Sequence, residues 1–337
     1  MNEDQRIPEP EVIHTPPEFV VAEEELHMPP GDEIVAGTSL WKDAWRRLLK
    51  NRLAVFGMVV VILVAIASLV GPEIIKRVNG FGPDYIPSDS QLIKSFAPFR
   101  APDGSFSGKH PMGTDNQGRD ILARVLQGGQ ISLMVGIIAT IVSLLIGVAY
   151  GAVAGYLGGR IDNLMMRFVD ILYSLPYIIL VIVLLAMFRS STAIGQLVLL
   201  FIALGSVSWL TMARIVRGQV LSLKNQEFVL AARATGVSTT RIIFRHIVPN
   251  TLGPVIVYAT LTIPTVMLSE AFLSYLGFGV QPPLASWGSL AADGIQNIAI
   301  FPWQLIFPGL TMALTLFSLN FLGDGLRDAL DPQMRKV

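Results

Sequence analysis

The residues best able to do chemistry in this chain are two carboxylates in apolar surroundings. Asp170 precedes one long apolar run and Glu270 lies inside another. An ionisable group at membrane depth is costly to keep and points to an ion or substrate path. Glu270 is therefore a candidate proton relay or substrate contact. The alternative adopted here turns it toward water or a cavity near the end of its helix, with Ser269 and Ser274 beside it. Asp170 has Arg167 three residues earlier, close enough on a helix to screen it, which reads as structural. Pro264 shares the run of Glu270, and Pro176 and Pro308 lie in or beside others. Such prolines imply kinked helices, which either line a pathway or hinge or are kinked for packing alone. Glu270, Ser269 and Pro264 are the pathway candidates.

Other chemistries lack their residues. The chain has no cysteine, which excludes disulfides, thiol catalysis and thiolate-bound metals. Its four histidines, His14, His27, His110 and His246, all lie outside the apolar runs, so no metal site is expected. A phosphate-cradling G-x-x-x-x-G-K-[ST] loop is missing. The nearest approach, Gly108-Lys109, has Asp103 in place of the first glycine and His110 in place of the hydroxyl. There is no H-E-x-x-H, and no serine, histidine and carboxylate converge in the apolar runs. We expect no catalysis by this chain and no cofactor on it.

A third constellation is mechanical. Residues 227–250 read EFVLAARATGVSTTRIIFRHIVPN, a polar, helix-forming stretch between two apolar runs. Gly236 can stop a first helix because it enters the left-handed region without steric cost. Ser238 is placed to cap a second, from Thr239 to about His246. Ala231 and Ala232 permit close packing, while Arg233, Arg241 and Arg245 supply a charged rim. Such a helix–turn–helix at a membrane surface can act as a lever between a soluble motor and a helix bundle. It can also be an ordinary amphipathic loop on headgroups.

The elements that must hold these groups are membrane helices. Of the 337 residues 52% are apolar and 15% charged, against about 25% charged in soluble domains. The net charge is zero, so nucleic acid is not an expected partner and the lipid bilayer is. Six runs approach or exceed the roughly 20 apolar residues that cross a bilayer: 53–70, 131–156, 171–188, 194–212, 252–275 and 306–322. With the N-terminus inside, 17 of the 25 Lys and Arg fall on the inner side, as the positive-inside rule requires. Both termini are then cytoplasmic.

The resulting plan is an all-α polytopic membrane protein. A disordered tail (1–38) leads to an amphipathic interfacial helix (39–52), with Trp41, Trp45, Leu48 and Leu49 on one face; it lies either on the inner membrane surface or packed on the protein's own loops. A first membrane helix (53–71) and an extracytoplasmic segment (72–130) follow. In that segment Asp115 can cap a short helix and Gly113 and Gly118 permit turns. It is either a docking element for an outer partner or a loop folded on the bundle. A core domain (131–325) holds five membrane helices and the cytoplasmic loop 214–250, and a short tail (326–337) closes the chain. Gly147, Gly151 and Gly155 form a small-residue face for close helix packing.

Residues Glu227, Ala231, Ala232, Arg233, Gly236, Arg241, His246, Pro249 and Asn250 lie in a loop that resembles the coupling loop of ABC importer permeases, with Leu230 where the general E-A-A pattern has a glutamate. The stretch EFVLAARATG…RHIVPN, the outer HPMGTDNQGRDILARV and the late QPPLASWGSL and GDGLRDALDP are similar to the dipeptide and oligopeptide branch, second-permease type, over roughly residues 39–332. The resemblance implies a type I importer fold in a bacterial or archaeal plasma membrane. It implies a second permease chain forming a heterodimer and two ABC ATPases that bind ATP and Mg and grip the loop. It also implies an extracytoplasmic peptide-binding protein. Peptides are the implied cargo, although relatives of that branch also carry nickel or opine-like ligands. A proton-coupled secondary transporter working through Glu270 is the alternative.

Overall fold

The computed structural model describes residues 40–89, 93–101 and 103–331. The chain divides into two units, Met1–Ser39 and Leu40–Val337. The first, with the expected tail 1–38, lies outside the described residues, as do residues 332–337. Every named element of the second unit is helical: α1 (Leu40–Lys50), α2 (Arg52–Asn79), α3 (Ile121–Leu157), α4 (Gly159–Ser174), α5 (Tyr177–Met187), α6 (Ala193–Leu223), α7 (Glu227–Ala234), α8 (Thr239–Arg241), a π-helical segment Ile242–Ile247, α9 (Val248–Tyr275), α10 (Trp287–Gln296) and α11 (Trp303–Leu330). Among the described residues, β structure is limited to two isolated bridges.

Five helices are long and apolar enough to cross a membrane: α2, α3, α6, Thr239–Tyr275 and α11. A sixth crossing is made if α4 and α5 are one span, bent by 84°. The expectation of one continuous helix over 171–188 gives way to a break at Leu175-Pro176. Proline supplies no N–H and pushes the preceding residue out of the helical region, and Leu175 is extended, with ψ 135°. The first membrane helix also outruns its expected end. It carries Pro72 inside and stops only at Asn79, before Gly80 in the left-handed conformation. Pro72 leaves the Ser68 carbonyl without its helical donor, and the Gln130 side-chain amide fills the gap at 2.7 Å.

The centre of the bundle is the packing of α3 on α6. A methyl group added at Gly147 would stand 2.6 Å from Met212 Cβ, and one at Gly155 would stand 2.9 Å from the Arg217 carbonyl; Gly151 lies directly against the Ala213 carbonyl. The glycine stripe thus lets two backbones meet where any side chain would hold them apart. Val135, Ala139, Leu200, Leu204 and Leu210 extend this core.

At one end of the bundle the segment between α2 and α3 folds down onto the starts of α3 and α11. Phe96 N–H donates to Thr114 Oγ1 (2.7 Å), and Gln304 Nε2 donates to Ser95 Oγ (2.7 Å) and Asn116 Oδ1 (3.1 Å). Asp115 caps no helix. It accepts from the Gln117 and Arg119 amides and pairs with Arg119 and Arg124. Asp120 is the residue that caps α3, through the Ala123 amide at 2.7 Å.

At the other end, α1 docks on the last turns of α11. Ala44 and Leu48 are buried against Ala54 and Ala329, with Leu322, Leu326 and Leu330 around them. Leu48 therefore leaves the expected apolar face, while Trp41, Trp45 and Leu49 stay exposed.

Candidate functional site

The stretch 227–250 forms an elbow whose bend follows from one glycine. Gly236 has φ +76°, and a Cβ there would meet nothing within 4 Å. The demand for glycine is thus one of backbone conformation, not of space. Around it the N–H of Gly236 reaches the Arg233 carbonyl (3.0 Å) and that of Val237 reaches Ala232 (3.1 Å). This is the paired-bond helix stop that satisfies the orphan carbonyls of α7. Ser238 occupies the next N-cap position by backbone, but its side chain makes no cap bond.

The second arm does not end near His246 as expected. It runs from Thr239 through the π segment into α9, reaching Tyr275 as one apolar span. Pro249 cannot donate to the Arg245 carbonyl, and the turns before it widen to an i→i−5 pattern, seen in the Val248 N–H donating to the Ile243 carbonyl.

The elbow has a wet side and a dry side. Val229, Ala232, Ile242, Ile243 and Ile247 are buried and pack with Ala152 of α3, Met212, Val216 and Val220 of α6, and Val255 and Ala259 of α9. Glu227, Ala231, Arg233, Gly236, Arg241, Pro249 and Asn250 are exposed, and His246 is half-buried. The two alanines are therefore not equivalent: Ala231 faces out and Ala232 faces the chain's own core. Arg233 lies back on Tyr156, with Nε 3.1 Å from the hydroxyl and the guanidinium 5.0 Å from the ring centre. Lys224 Nζ donates to the Gly155 carbonyl (3.1 Å), and Asn250 Nδ2 to that of His246 (2.6 Å). Phe228 and Phe244, and Leu230, which stands at the glutamate position of the E-A-A pattern, are also exposed here. The spacing of Val229 and Ala232 at i, i+3 was the available signal, since it turns residues 228, 230 and 231 outward.

Above the elbow a cavity of about 530 Å³ opens beside the Leu175-Pro176 break. Tyr173 and Tyr177 line it from α4 and α5, Ser208 and Thr211 from α6, and Thr262, Thr265 and Ser269 from α9. No Asp, Glu, Lys, Arg or His lies in its wall. A second hollow of about 790 Å³ runs from Tyr258 and Leu261, which border both spaces, down to Pro249 and Asn250 and across to Trp41 and Arg327. One helix, α9, thus lines both hollows and continues into the elbow.

The wall of α4 is fastened to α6 by two ion pairs. Arg217 holds Asp162 through both oxygens at 2.6 Å, and Arg214 Nη2 reaches Asp170 at 2.7 Å while lying 4.0 Å over the Tyr173 ring. Asp170 is thus held by Arg214 across the helix pair, rather than by Arg167.

Of the three pathway candidates, Ser269 lies on the cavity wall, whereas Pro264 and Glu270 are buried outside it. Glu270 faces no water: it is 1% exposed. Its Oε1 accepts from Ser274 Oγ and Ser286 Oγ, both at 2.7 Å. Ser286 caps α10, which folds back so closely that Gly288 abuts Ala271 and the Glu270 carboxylate. Trp287 pins this return by donating to the Val125 carbonyl (2.8 Å). The covering segment lies beyond α9 in sequence, so the periodicity of α9 carries no trace of it. Among the described residues no cluster of His, Asp or Glu could hold a metal ion.

Comparison with known proteins places this architecture. Residues 147–336 match the model of the binding-protein-dependent transport system inner membrane component, and residues 39–90 match that of the N-terminal TM domain of oligopeptide transport permease C. The oligopeptide transport system permease protein OppC of Haemophilus influenzae is 47% identical over 299 residues, covering 89% of this chain and 90% of that one. The dipeptide transport system permease protein DppC of Bacillus subtilis is 41% identical over 334 residues, covering 99% and 98%. A chain of the inward-facing MetNI methionine ABC transporter aligns over 61% of this chain and 96% of its own, with 19% identity and a TM-score of 0.49. ABC importer permeases are multi-pass, non-enzymatic membrane components that work with ATPase and substrate-binding partners. On these matches the chain belongs to the family of binding-protein-dependent transport system inner membrane components, as a permease subunit of an ABC importer.

Proposed function

We propose that this permease is one of two in an ATP-driven peptide importer of the plasma membrane, with both termini cytoplasmic. The exposed face of the elbow is the surface that a partner ATPase grips. Ala231, Phe228, Leu230 and Phe244 make its apolar patch, and Glu227, Arg241 and Arg245 its rim. Ala232 acts from beneath by fixing the elbow to α3, α6 and α9. Two ATPases, each binding ATP and Mg on its own chain, serve the two permeases. An extracytoplasmic binding protein delivers the peptide.

The observation that carries this reading is the unbroken helix from Thr239 to Tyr275. Its start is the second arm of the elbow, and its far half presents Thr262, Thr265 and Ser269 to the cavity bordered by the Pro176 break. A tilt imposed on the elbow reaches the cavity wall along one continuous span, through the π segment and past Pro254 and Pro264. The cavity is then this chain's half of the pathway. Its hydroxyls suit the amides of a peptide backbone, which need hydrogen-bond partners wherever water is withdrawn. Glu270 serves as an anchor for α10, since its carboxylate is closed off from both hollows.

Reconstitution with the second permease, the ATPases and the binding protein tests the proposal. Labelled peptide should accumulate only with ATP. Accumulation on a proton gradient without the ATPases would instead support proton coupling.

A further inference from the structure

The exposed face of α1 carries two parallel rows. Trp41, Trp45 and Leu49 are 53%, 53% and 47% exposed, and Lys42, Arg46 and Lys50 stand beside them, also exposed. Each row is spaced i, i+4, i+8, so each runs along the helix as a continuous ridge. The opposite side of α1 is committed, because Ala44 and Leu48 are seated on the end of α11.

The depth of this face follows from its neighbour. Only Asn51 separates α1 from α2, and its side chain accepts from the Leu53 and Ala54 amides to start the second helix. From that first turn α2 presents Leu53, Phe56, Val59, Leu63 and Ile66 outward, a face that only hydrocarbon suits. The hydrocarbon boundary therefore falls just past Lys50, and α1 sits at headgroup level. Tryptophan favours that level because its ring is apolar and its N–H is wet. Cations there meet the negative surface potential of anionic lipids.

We propose that α1 is a binding surface for anionic phospholipid headgroups, with the phosphate held by Lys42, Arg46 and Lys50 and the acyl chains against Trp41, Trp45 and Leu49. The surface adjoins the elbow: Trp41 and Arg47 line the same hollow as Pro249 and Asn250. Lipid charge therefore reaches the region where the elbow enters α9.

Tryptophan quenching in vesicles tests this on the full chain. Brominated phosphatidylglycerol or brominated phosphatidylcholine is included as a minor fraction of a phosphatidylcholine bilayer. Trp209 and Trp287 are buried and Trp303, at the start of α11, is half-buried, so the exposed Trp41 and Trp45 supply the larger share of the quenchable signal and the Trp303 share is what a variant lacking both leaves behind. The anionic quencher should be more effective by roughly twofold at equal fraction, and high salt should erase the difference. A Trp41→Phe, Trp45→Phe double variant should remove most quenching. A Lys42→Gln, Arg46→Gln, Lys50→Gln triple variant should keep quenching by the zwitterionic lipid and lose only the excess. Equal quenching by both lipids in the wild type overturns the proposal. So does an excess that survives the triple variant, or a face that neither lipid reaches because another protein covers it.

Discussion

The N–H of Val237 donates to the carbonyl of Ala232 at 3.1 Å, and that bond fixes where the elbow turns. It forms only if Gly236 holds φ +76°. A side chain with a Cβ in that region costs about 1–2 kcal/mol, with Asn the mildest case. Gly236→Val should therefore lower the bent population roughly 5- to 30-fold, while Gly236→Asn stays near wild type. Copurification of the ATPases and transport-coupled ATP turnover, at matched membrane abundance, should separate the two variants. Equal behaviour would mean that the left-handed turn is unimportant.

The two ion pairs between α4 and α6 should differ in weight. Asp162 is 5% exposed and accepts both arms of Arg217, whereas the Asp170 side chain is 64% exposed. Exposed pairs contribute little, but a buried acceptor left unpaired costs about 1–3 kcal/mol. Arg217→Ala should lower the thermal midpoint of the solubilised protein by several degrees, and Arg214→Ala should shift it by much less. Similar shifts in both would contradict the assignment of Arg217 as the principal tie.

Glu270→Gln keeps an oxygen that can accept from Ser274 and Ser286. It should leave ATP-driven uptake largely intact. Glu270→Ala strands both hydroxyls and opens a cavity beside Gly288, a loss of about 2–4 kcal/mol, and should reduce assembled complex at elevated temperature. Abolished uptake in a fully assembled Gln variant would show that the carboxylate has a chemical role.

The natural absence of cysteine makes the cavity wall directly addressable. Thr265→Cys and Leu268→Cys both lie on exposed positions of α9, but only residue 265 borders the cavity. A bulky thiol reagent should block uptake in the first and spare it in the second. Block at 268 with free passage at 265 would move the pathway to the other face of the helix.

Much of the fold was legible because its causes are local. Apolar runs long enough to cross a bilayer declare themselves, and Gly147, Gly151 and Gly155 mark a close approach; Pro176 reads as a kink in the run 171–188, and the full 84° break there goes beyond that. What escaped depends on contacts distant in sequence. Glu270 reads as water-facing until Ser286 and Gly288 close over it. Asp170 has a basic neighbour three residues back, yet Arg214 on another helix takes it. Ala231 and Ala232 look interchangeable as small residues, and only the core beneath 229 and 232 separates them. The exposed Phe228 and Leu230 were legible in principle from the same spacing, whereas Phe244 lies on the other arm of the elbow. His246 was a plausible helix end, but the helix continues because Pro249 is accommodated by a π turn.

The central claim, that a partner ATPase grips the outward face of this elbow, is tested most directly by single-cysteine crosslinking in the assembled, transporting complex. Ala231→Cys and Phe244→Cys should each give an adduct with an ATPase subunit through a short thiol crosslinker, while Ala232→Cys, turned into the chain's own core, should give little or none. An active complex in which neither 231 nor 244 reaches an ATPase, or in which 232 reacts as readily as 231, would contradict the account.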